Sequence, residues 1–355
     1  MISDDSKAIS EKIKVAAAEK RALRIRGGGT KDFYGNEPQG ELLDTRGHAG
    51  IVAYEPTELV ITACCGTLLA DLHEVLAKQG QFLPFEPPGF GSAATLGGCV
   101  ATGLSGPRRA SAGSVRDFVL GAKLVDGRGQ LLAFGGQVMK NVAGYDVARL
   151  LAGSLGTLGL ILEVSLKVLP RPPAEMTLCM ELPQAKAIES LNRWAARPLP
   201  LSASAWRDGE LRLRLSGAES ALRAATQALG GEAMAPDAAA KFWTGVREQT
   251  DEFFAGEAPL WRLSLPSNAP VQELPGEQLL EWGGALRWLK SSAEAGALRA
   301  AAARAGGHAT LFRAREKTAG AFTPLPPALA RLHRELKNSF DPAGILNPRR
   351  LYAEF

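Results

Sequence analysis

Histidine and cysteine are scarce in this sequence of 355 residues, which contains four of each. No two cysteines form a CxxC pair, and their spacing is not that of a zinc or iron–sulfur site, so we expect reduced, apolar side chains. The cysteines are Cys64, Cys65, Cys99 and Cys179. The histidines are His48, His73, His308 and His333, which are isolated from one another in sequence. The sequence therefore predicts that the chain binds no metal ion.

Long apolar runs are also absent. The most apolar stretch, Leu150 to Leu162, has 13 residues, whereas a helix needs about 20 to span a bilayer. The first residues include Asp4 and Asp5 and lack the apolar core of a signal peptide. The 41 basic and 37 acidic residues are spread along the chain, without the basic face of a nucleic-acid-binding protein. We expect a cytoplasmic protein without a transmembrane segment.

Missing motifs argue against three common enzyme classes. The GxxxxGK[ST] loop of nucleotide hydrolases does not occur. A Rossmann domain requires a helix after its glycine loop, but Phe33 to Pro38, which follow the first glycine cluster, do not favour one. The run Ala152 to Gly156 resembles the nucleophile elbow of serine hydrolases but lacks the first glycine. A nucleotide bound to this chain is therefore held in another way.

Glycine, in contrast, is abundant, with 39 residues that lie mostly at or before Gly159. The clusters are Gly27 to Gly29, Thr95 to Gly106 and Gly153 to Gly159. Consecutive glycines can adopt positive φ, so the amides from Gly27 to Lys31 can point inward and bind an anion such as a pyrophosphate. On this interpretation, we expect positive φ at Gly28.

Hydrophobic periodicity divides the chain into two patterns. Before Pro170, strands and helices follow each other in an α+β pattern that includes a hairpin turning at Asp126 and Gly127. From Thr177, a strand–helix–strand unit occurs twice, which predicts an antiparallel sheet with its helices on one face. After a proline-rich linker, the spacing predicts a further helix, which ends at Asp341 and has an apolar stripe of Leu329, Leu332, Leu336 and Phe340.

Five motifs, taken in order, resemble those of a known family. They are RGGGT (26–30), TLGGCVATGLSG (95–106), GSVRDFVLG (113–121), KNVAGYD (140–146) and GSLGTLGLILEVSLKVLP (153–170). Their order and spacing are similar to those of the FAD-binding enzymes of the vanillyl-alcohol oxidase, or PCMH-type, family. Within it, FGGQVMKNVAGYD (134–146) and FDPAGILNP (340–348) resemble the E subunits of bacterial glycolate oxidases.

The resemblance implies an α+β fold in which a PCMH-type FAD-binding domain is built from two parts. Residues 1–173 would form the first part. Residues 174–325 would form an antiparallel-sheet α+β cap domain on the substrate side. Residues 326–355 would form a C-terminal segment that returns to the FAD-binding domain.

The same resemblance assigns cofactor-binding residues by position. The residues on the FAD pyrophosphate are Gly27, Gly28, Gly29, Thr30 and Lys31. Those along the ribityl chain and flavin are Thr95, Leu96, Gly97, Gly98, Ala101, Thr102, Gly103, Ser105 and Gly106. Gly156, Gly159 and Ile161 match a strand at the adenine edge, and Asn347 matches a C-terminal residue that returns to the flavin domain. Because Thr30 stands where some relatives carry a histidine, we expect FAD to be bound non-covalently.

Catalytic residues have weaker sequence signals. Arg109, which follows Arg108, suits a carboxylate through its bidentate guanidinium, but a solvated pair explains it as well. His308 lies where hydroxy-acid-oxidising relatives carry a paired-histidine motif, although the pair is absent here. Arg313 faces either the flavin or solvent. The remaining polar candidates are Asp117, which we expect to hold a loop, and a polar group of Lys140, Asn141, Tyr145 and Asp146.

In function, the resemblance implies an FAD-binding subunit of a glycolate (2-hydroxy acid) oxidase or dehydrogenase complex, which oxidises glycolate to glyoxylate and exports the electrons. Its implied partners are a second FAD-binding subunit and an iron–sulfur subunit, through which it would reach the inner membrane. Two alternatives stay open: a self-sufficient FAD-linked D-2-hydroxy-acid dehydrogenase, and a structural subunit whose flavin does not turn over. The missing histidine pair disfavours the self-sufficient enzyme.

Overall fold

The computed structural model describes residues 5–136 and 146–355, which form a mixture of helices and strands as the α+β prediction requires. The helices are α1 (Ser6–Ala18), α2 (Leu69–Lys78), α3 (Leu96–Thr102), α4 (Arg109–Ala112), α5 (Val115–Phe118), α6 (Val147–Leu150), α7 (Gln184–Ala195), α8 (Glu219–Leu229), α9 (Pro236–Glu248), α10 (Ala295–Arg304) and α11 (Pro327–Phe340). Within the described ranges, no helix is long and apolar enough to cross a membrane.

Within the described residues, the strands belong to four sheets. They are β1 (Leu23–Arg26), β2 (Glu41–Asp44), β3 (Ile51–Glu55), β4 (Val60–Cys64), β5 (Gln81–Phe82), β6 (Val119–Val125), β7 (Leu131–Gly135), β8 (Leu160–Lys167), β9 (Leu169–Pro170), β10 (Ala174–Glu181), β11 (Leu201–Arg207), β12 (Glu210–Gly217), β13 (Glu232–Ala233), β14 (Leu260–Ser264), β15 (Glu277–Glu281), β16 (Leu286–Lys290) and β17 (His308–Arg313). Two of the sheets are pairs, β1 with β2 and β5 with β9.

A five-stranded antiparallel sheet lies at the centre of the first part of the chain, in the order β3-β4-β8-β6-β7. Strand β8 is buried along most of its length. Helices α2 and α3 contribute Leu72, Leu76 and Val100 to one apolar core with Val164 and Leu166 of β8. The hairpin expected between Val119 and Phe134 is confirmed as β6 and β7.

The C-terminal residues pack against the start of this part. Leu346 forms a parallel bridge with Leu23 of β1. The buried ammonium group of Lys337 in α11 donates a hydrogen bond to the carbonyl oxygen of Thr157 at 2.8 Å and forms an ion pair with Asp341 at 2.6 Å. Because β1 ends directly before the first glycine cluster, these contacts bring the C-terminal residues beside that cluster.

Half of the apolar stripe on α11 is exposed. Leu336 and Phe340 pack against the core of the five-stranded sheet, as expected. Leu329 and Leu332, however, are 47% and 57% exposed. The spacing of these residues indicates a helix, but it does not show how far the neighbouring chain covers that helix.

The second large sheet has eight antiparallel strands in the order β13-β10-β12-β11-β15-β16-β14-β17. Helices α7, α8 and α10 cover one face. Leu191 of α7 packs against Leu213 of β12, and Leu298 of α10 packs against Leu263 of β14. The antiparallel sheet expected for the cap domain is therefore confirmed.

The expectation that all helices lie on one face is wrong for α9. Its Trp243 packs against Ala203 and Ala205 of β11. In the register of β11 with β12, Ala203 lies opposite Arg214, whereas the neighbouring Ser204 lies opposite Leu213. Successive residues of a strand point to opposite faces, so α9 lies on the face opposite α7 and α8.

The face that carries α9 also meets the glycine-rich part of the chain. Trp288 of β16 and Phe312 of β17 form one apolar cluster with Leu104 and Leu155. Leu104 follows α3, and Leu155 lies in the third glycine cluster. The cap sheet therefore rests on the loops to which the flavin was assigned.

Candidate functional site

A cleft opens where β1, α3 and the chain before β8 converge. It has about 720 Å³ of empty space, its open mouth included. The predicted cofactor-binding residues that line it are Gly27, Gly28, Gly29, Thr30, Lys31, Thr95, Gly97, Gly98, Ala101, Thr102, Gly156, Gly159, Ile161 and Asn347. The fold thus brings all three glycine clusters and the C-terminal asparagine to one place.

Four of the predicted flavin-contacting residues lie outside this lining. Leu96 is buried in the core of the five-stranded sheet. Gly103 ends α3 with a φ of +66°. Ser105 accepts a hydrogen bond at 3.0 Å from the first backbone N–H of α5, and the carbonyl oxygen of Gly106 accepts one at 3.1 Å from Trp282. These residues shape the second loop, and their contact with the flavin stays a prediction.

Close packing, more than positive φ, explains the glycines of the first loop. Only Gly29 of the triplet is left-handed, with a φ of 72°, so the expectation of positive φ at Gly28 is wrong. A Cβ atom on Gly28 would lie 1.5 Å from the carbonyl oxygen of Ala93, and one on Gly27 would lie 2.3 Å from Oγ1 of Thr95. These positions need glycine because the segment before α3 runs directly against the loop.

The second cluster forms the short helix α3, which presents glycine to the cleft. Thr95 precedes the helix in an extended conformation, and its hydroxyl oxygen accepts a hydrogen bond from the N–H of Gly98 at 3.4 Å. A Cβ atom on Gly97 would lie 2.7 Å from Cβ of Cys65. At Gly98 the nearest atom would be Oγ1 of Thr95 at 3.4 Å, so this residue leaves the wall of the cleft open.

Asn347 joins the C-terminal residues to the cleft. Its side-chain oxygen accepts a hydrogen bond from the N–H of Ile25 at 2.7 Å, and its amide group donates one to the carbonyl oxygen of Leu155 at 2.6 Å. The neighbouring Gly156 has a φ of +71°, and a Cβ atom there would lie 2.7 Å from the amide nitrogen of Asn347. Glycine is therefore required where the asparagine approaches.

Buried basic groups surround the first loop. Burial lowers the pKa of Lys31, whose ammonium group donates to the carbonyl oxygen of Gly89 at 3.1 Å. Burial lowers the pKa of Arg350 to about 10. Burial and the nearby charge of Arg350 lower the pKa of Lys317 to about 8. An anion in the cleft would favour the charged forms of Lys31 and Arg350, which line it. Glycine amides and buried cations are the donors that a pyrophosphate requires, so the residues present fit FAD.

Arg350 was not predicted from the sequence, although it lies three positions after Asn347. Its guanidinium group donates to the carbonyl oxygens of Asn36 and Asp32 and so supports the first loop from the C-terminal side. The lining residues that sequence reasoning missed are Ile25, Arg26, Asp32, Thr45, Cys65, Leu155 and Arg350. Arg26 and Leu155 lie within glycine-rich motifs but are not glycines, and the other five lie outside those motifs, which were the signal used.

The catalytic candidates are dispersed around the cleft. Arg313 lines a separate open groove that borders Thr30, and it donates to the side chain of Gln249 at 2.8 Å. His308 is exposed at the start of β17, where burial of part of the ring and the charge of Arg262 lower its pKa. Arg109 is exposed on α4. None of the three lines the glycine cleft.

Arg108 differs from its neighbour Arg109 because it is buried and paired. Its guanidinium group contacts Glu175 and lies 3.4 Å from Glu86, which also pairs with Arg214 at 2.8 Å. These contacts join the second glycine loop to the cap sheet. Arg108 is therefore engaged within the protein, whereas the guanidinium carbon of Arg109 lies 4.5 Å from the ring centroid of Trp282.

Of the remaining polar candidates, the structure describes Asp117 and Asp146. Asp117 holds its loop as expected, since its carboxylate accepts hydrogen bonds from the N–H and hydroxyl of Ser114, both at 2.8 Å. Asp146 caps α6. Lys140, Asn141 and Tyr145 lie outside the described residues. Among residues 5–136 and 146–355, no three histidine, cysteine or acidic side chains are grouped so as to hold a metal ion.

Together, the fold and the cleft define an FAD-binding protein of the PCMH type. The family described as FAD binding domain matches residues 2–135, which contain the first two glycine clusters. A solved structure of alkyldihydroxyacetonephosphate synthase has a similar fold, with a TM-score of 0.66 at 16% identity over 96% of this chain and 74% of that chain. The predicted fold class and the predicted cofactor, FAD, are confirmed.

The chain belongs to the family of the glycolate oxidase subunit GlcE. It is 50% identical to GlcE of Escherichia coli (strain K12) over 99% of this chain and 98% of that protein. It is 31% identical to the glycolate oxidase subunit GlcD of Bacillus subtilis over 48% of this chain and 36% of that protein. A D-lactate dehydrogenase of Anaerostipes hadrus is 38% identical over 36% of this chain and 26% of that protein.

Proposed function

We propose that this chain is the FAD-binding subunit of an oxidase or dehydrogenase complex that oxidises glycolate to glyoxylate and passes the electrons on. The observation that carries the proposal is the similarity to GlcE, which extends over the cleft and the cap sheet alike. GlcE is named as a glycolate oxidase subunit. The partial similarity to GlcD and to D-lactate dehydrogenase supports a 2-hydroxy acid as the substrate class.

In this proposal, each glycine cluster holds one part of FAD. The loop from Gly27 to Lys31 binds the pyrophosphate, the segment from Thr95 to Gly106 lies along the ribityl chain and flavin, and Gly156 to Ile161 meet the adenine. Bound FAD supplies the acceptor for a hydride. The chain's own residues bind and orient the cofactor and set the charge around it. Thr30 offers no histidine or cysteine for a covalent bond, so the cofactor is dissociable.

We further propose that the partners are a second FAD-binding subunit and an iron–sulfur subunit. The cytoplasm is the proposed location, with contact to the inner membrane made through those partners.

Removing a hydride from a 2-hydroxy acid requires a base at the hydroxyl group and a cation at the carboxylate. His308 is exposed and has no histidine partner in its motif, so we expect the isolated chain to turn over glycolate slowly.

The proposal is tested by expressing the chain alone and together with its candidate partner subunits. FAD released into the supernatant by acid precipitation is expected in both preparations, and rapid reduction of an artificial electron acceptor by glycolate is expected only in the second. Because loss of a general base costs about 10²- to 10⁴-fold in rate, rapid turnover by the chain alone would favour the self-sufficient dehydrogenase. A chain that folds but cannot be reconstituted with FAD would contradict the proposal.

A variant that cannot hold FAD distinguishes the proposed role from the alternative of a structural subunit whose flavin does not turn over. Gly28→Val removes the space between the first loop and Ala93, so we expect it to expel FAD from this subunit. If the complex containing that variant assembles and keeps its full glycolate activity, the flavin of this chain does not turn over. A complex that assembles but loses activity supports the proposed role.

A further inference from the structure

A carboxylate of α9 holds the chain segment that precedes the second glycine loop. Glu248, the last residue of α9, accepts hydrogen bonds from the backbone N–H groups of Gly89 at 2.9 Å and Phe90 at 2.8 Å. One oxygen, Oε2, accepts both bonds, and the other oxygen accepts one from Nε of Arg247 at 2.8 Å. Glu248 therefore joins a helix of the cap sheet directly to the FAD-binding part of the chain.

The segment from Gly89 to Ala93, which we call the wall segment, lies against the first glycine loop. At its far end, the carbonyl oxygen of Ala93 would be 1.5 Å from a Cβ atom on Gly28. At its near end, the carbonyl oxygen of Gly89 accepts a hydrogen bond from the ammonium group of Lys31 at 3.1 Å. Gly89 is thus held through its N–H by Glu248 and through its carbonyl group by Lys31.

The backbone of the wall segment has an unusual conformation. Phe90 has a φ of 55°, and Gly91 has a φ of 138°. Left-handed backbone is uncommon for a bulky residue and persists only where the surrounding structure holds it. The bond from the N–H of Phe90 to Glu248 and the ring contact with Phe33, at 5.5 Å between centroids, provide this support. We expect the segment to relax when the carboxylate is removed.

Lys31 connects the wall segment with the cleft. It is 7% exposed and lines the glycine cleft. An ammonium group has three donors, and among the described residues Gly89 and Thr30 accept two of them, the second at 3.4 Å. Burial lowers the pKa of Lys31, whereas the charges of Cys99 and Glu248 act in the opposite direction. Glu248 therefore favours the charged form of a lysine that has one donor left for an anion.

The helix itself does not explain an acidic residue at this position. The C-terminal end of a helix carries partial negative charge, which disfavours a carboxylate there. Glu248 lines an open groove beside Thr30 and does not line the glycine cleft. Its stabilising contacts are those with Arg247 and the wall segment, so an effect on the cofactor has to reach the cleft through Gly89 and Lys31.

We propose that Glu248 is a positioning residue for the cofactor, which holds Gly89 so that the ammonium group of Lys31 is fixed toward the phosphates of FAD. The inference rests on the proposed placement of the pyrophosphate at the loop from Gly27 to Lys31 and deepens it. A lysine is a point charge on a flexible stem. A fixed acceptor at Gly89 lowers the conformational entropy that Lys31 loses when the phosphates bind.

The test is a double-mutant cycle on the full chain, measured by fluorescence titration of the apo protein with FAD. Lys31→Met loses a charge-assisted contact and should raise the FAD dissociation constant at least about ten-fold. Glu248→Ala should raise it about three- to ten-fold, since the lysine is no longer held. If Glu248 acts through Lys31, the double variant should bind FAD no more weakly than Lys31→Met alone.

Two further variants separate positioning from a general loss of structure. Glu248→Gln keeps an oxygen for the two N–H groups but places an amide nitrogen beside Arg247, so its affinity should lie between those of the alanine variant and the wild type. The matched control is Glu252→Ala, which removes an exposed carboxylate just after α9. Its partner Arg207 keeps an ion pair with Asp251 at 2.8 Å, so FAD affinity should be unchanged.

The outcomes distinguish this inference from the proposed function. Losses that multiply in the double variant, or wild-type affinity in Glu248→Ala, would overturn the positioning role. Lys31→Met that binds FAD as tightly as the wild type would contradict the placement of the pyrophosphate at the first loop. Urea unfolding of each apo variant is recorded in parallel. If Glu248→Ala does not fold, the same cycle is measured with Glu248→Gln, whose smaller loss should vanish in the Lys31→Met background.

Discussion

The side chain of Asn347 accepts a hydrogen bond from the backbone N–H of Ile25 at 2.7 Å, although 322 positions separate the two residues. The same amide donates to the carbonyl oxygen of Leu155. Ile25 lies in the strand before the first glycine cluster, and Leu155 lies in the third cluster. One buried asparagine therefore sets the distance between two walls of the cleft.

Replacing Asn347 with alanine should weaken both the fold and FAD binding. The variant leaves a donor at Ile25 and an acceptor at Leu155 without partners, which costs about 1–3 kcal/mol. Urea unfolding and FAD titration measure the two effects. The matched control is Asn192→Ala, because Asn192 bonds the carbonyl oxygens of Ile188 and Ser267 within the cap. The control should lose stability but keep its FAD affinity, and equal affinities in both variants would refute a role for Asn347 at the cleft.

Gly98→Ala should change protein stability and cofactor binding in opposite directions. An alanine in a helix is more favourable than glycine by about 1 kcal/mol, and the nearest atom to the new Cβ is 3.4 Å away. The apo chain should therefore become slightly more stable, while the methyl group at the cleft wall weakens FAD binding. Thermal unfolding of the apo chain and FAD titration test this expectation.

Gly97→Ala serves as the contrast for that experiment. Its new Cβ would lie 2.7 Å from Cβ of Cys65, so the apo chain should lose stability. A Gly98→Ala variant that binds FAD as tightly as the wild type would show that Gly98 does not face the cofactor.

Glu281 should make stability depend on pH. It is 4% exposed and accepts a hydrogen bond from Trp288 at 2.7 Å. Burial raises the pKa of its carboxyl group from 4.5 to about 7. Between these values the folded state keeps a proton that the unfolded state releases, so stability falls as pH rises through this window. The contribution is about 3 kcal/mol.

Glu281→Gln keeps an acceptor for Trp288 and removes the titration. Urea unfolding at about pH 5 and about pH 8 should show that the variant gains stability relative to wild type at the higher pH. Glu257→Gln, at an exposed position, should behave as wild type. The same wild-type-to-variant difference at both pH values would disprove a raised pKa at Glu281.

Lys337→Met should be strongly destabilising. It leaves the fully buried carboxylate of Asp341 without its cation, and breaking such a pair costs about 3–5 kcal/mol. Lys78→Met is the matched control, because Lys78 forms an exposed ion pair with Glu74, which is worth at most about 1 kcal/mol. Denaturant midpoints of the two variants should differ clearly, and similar midpoints would contradict the buried pair.

Local patterns in the sequence account for much of the fold. The glycine clusters, the hairpin at Asp126 and Gly127, and the repeated strand–helix–strand unit each follow from backbone preference or side-chain period. The errors concern packing between elements. The sheet face on which α9 packs depends on the contacts of Trp243. The exposure of Leu332 depends on which part of the chain lies against α11. Neither is encoded in the local spacing of apolar residues.

The functional site shows the same division between features that follow from local sequence patterns and features that depend on packing. Fourteen predicted cofactor-binding residues line one cleft because close backbone approach selects glycine, which is visible in a sequence. Arg350 was missed because a single arginine in a loop has no distinctive pattern. Its surroundings arise only from chain reversal, which brings its guanidinium group to the carbonyl oxygens of Asn36 and Asp32.

The bond between Ile25 and Asn347 also has a consequence for the order in which the protein is made. The ribosome makes Ile25 well before Asn347, and domains generally fold as their residues emerge. The walls of the cleft cannot reach their final spacing until Asn347 has been synthesised and has docked on β1. Tight retention of FAD should therefore begin only after Asn347 has been synthesised, as a step that follows folding of the cap.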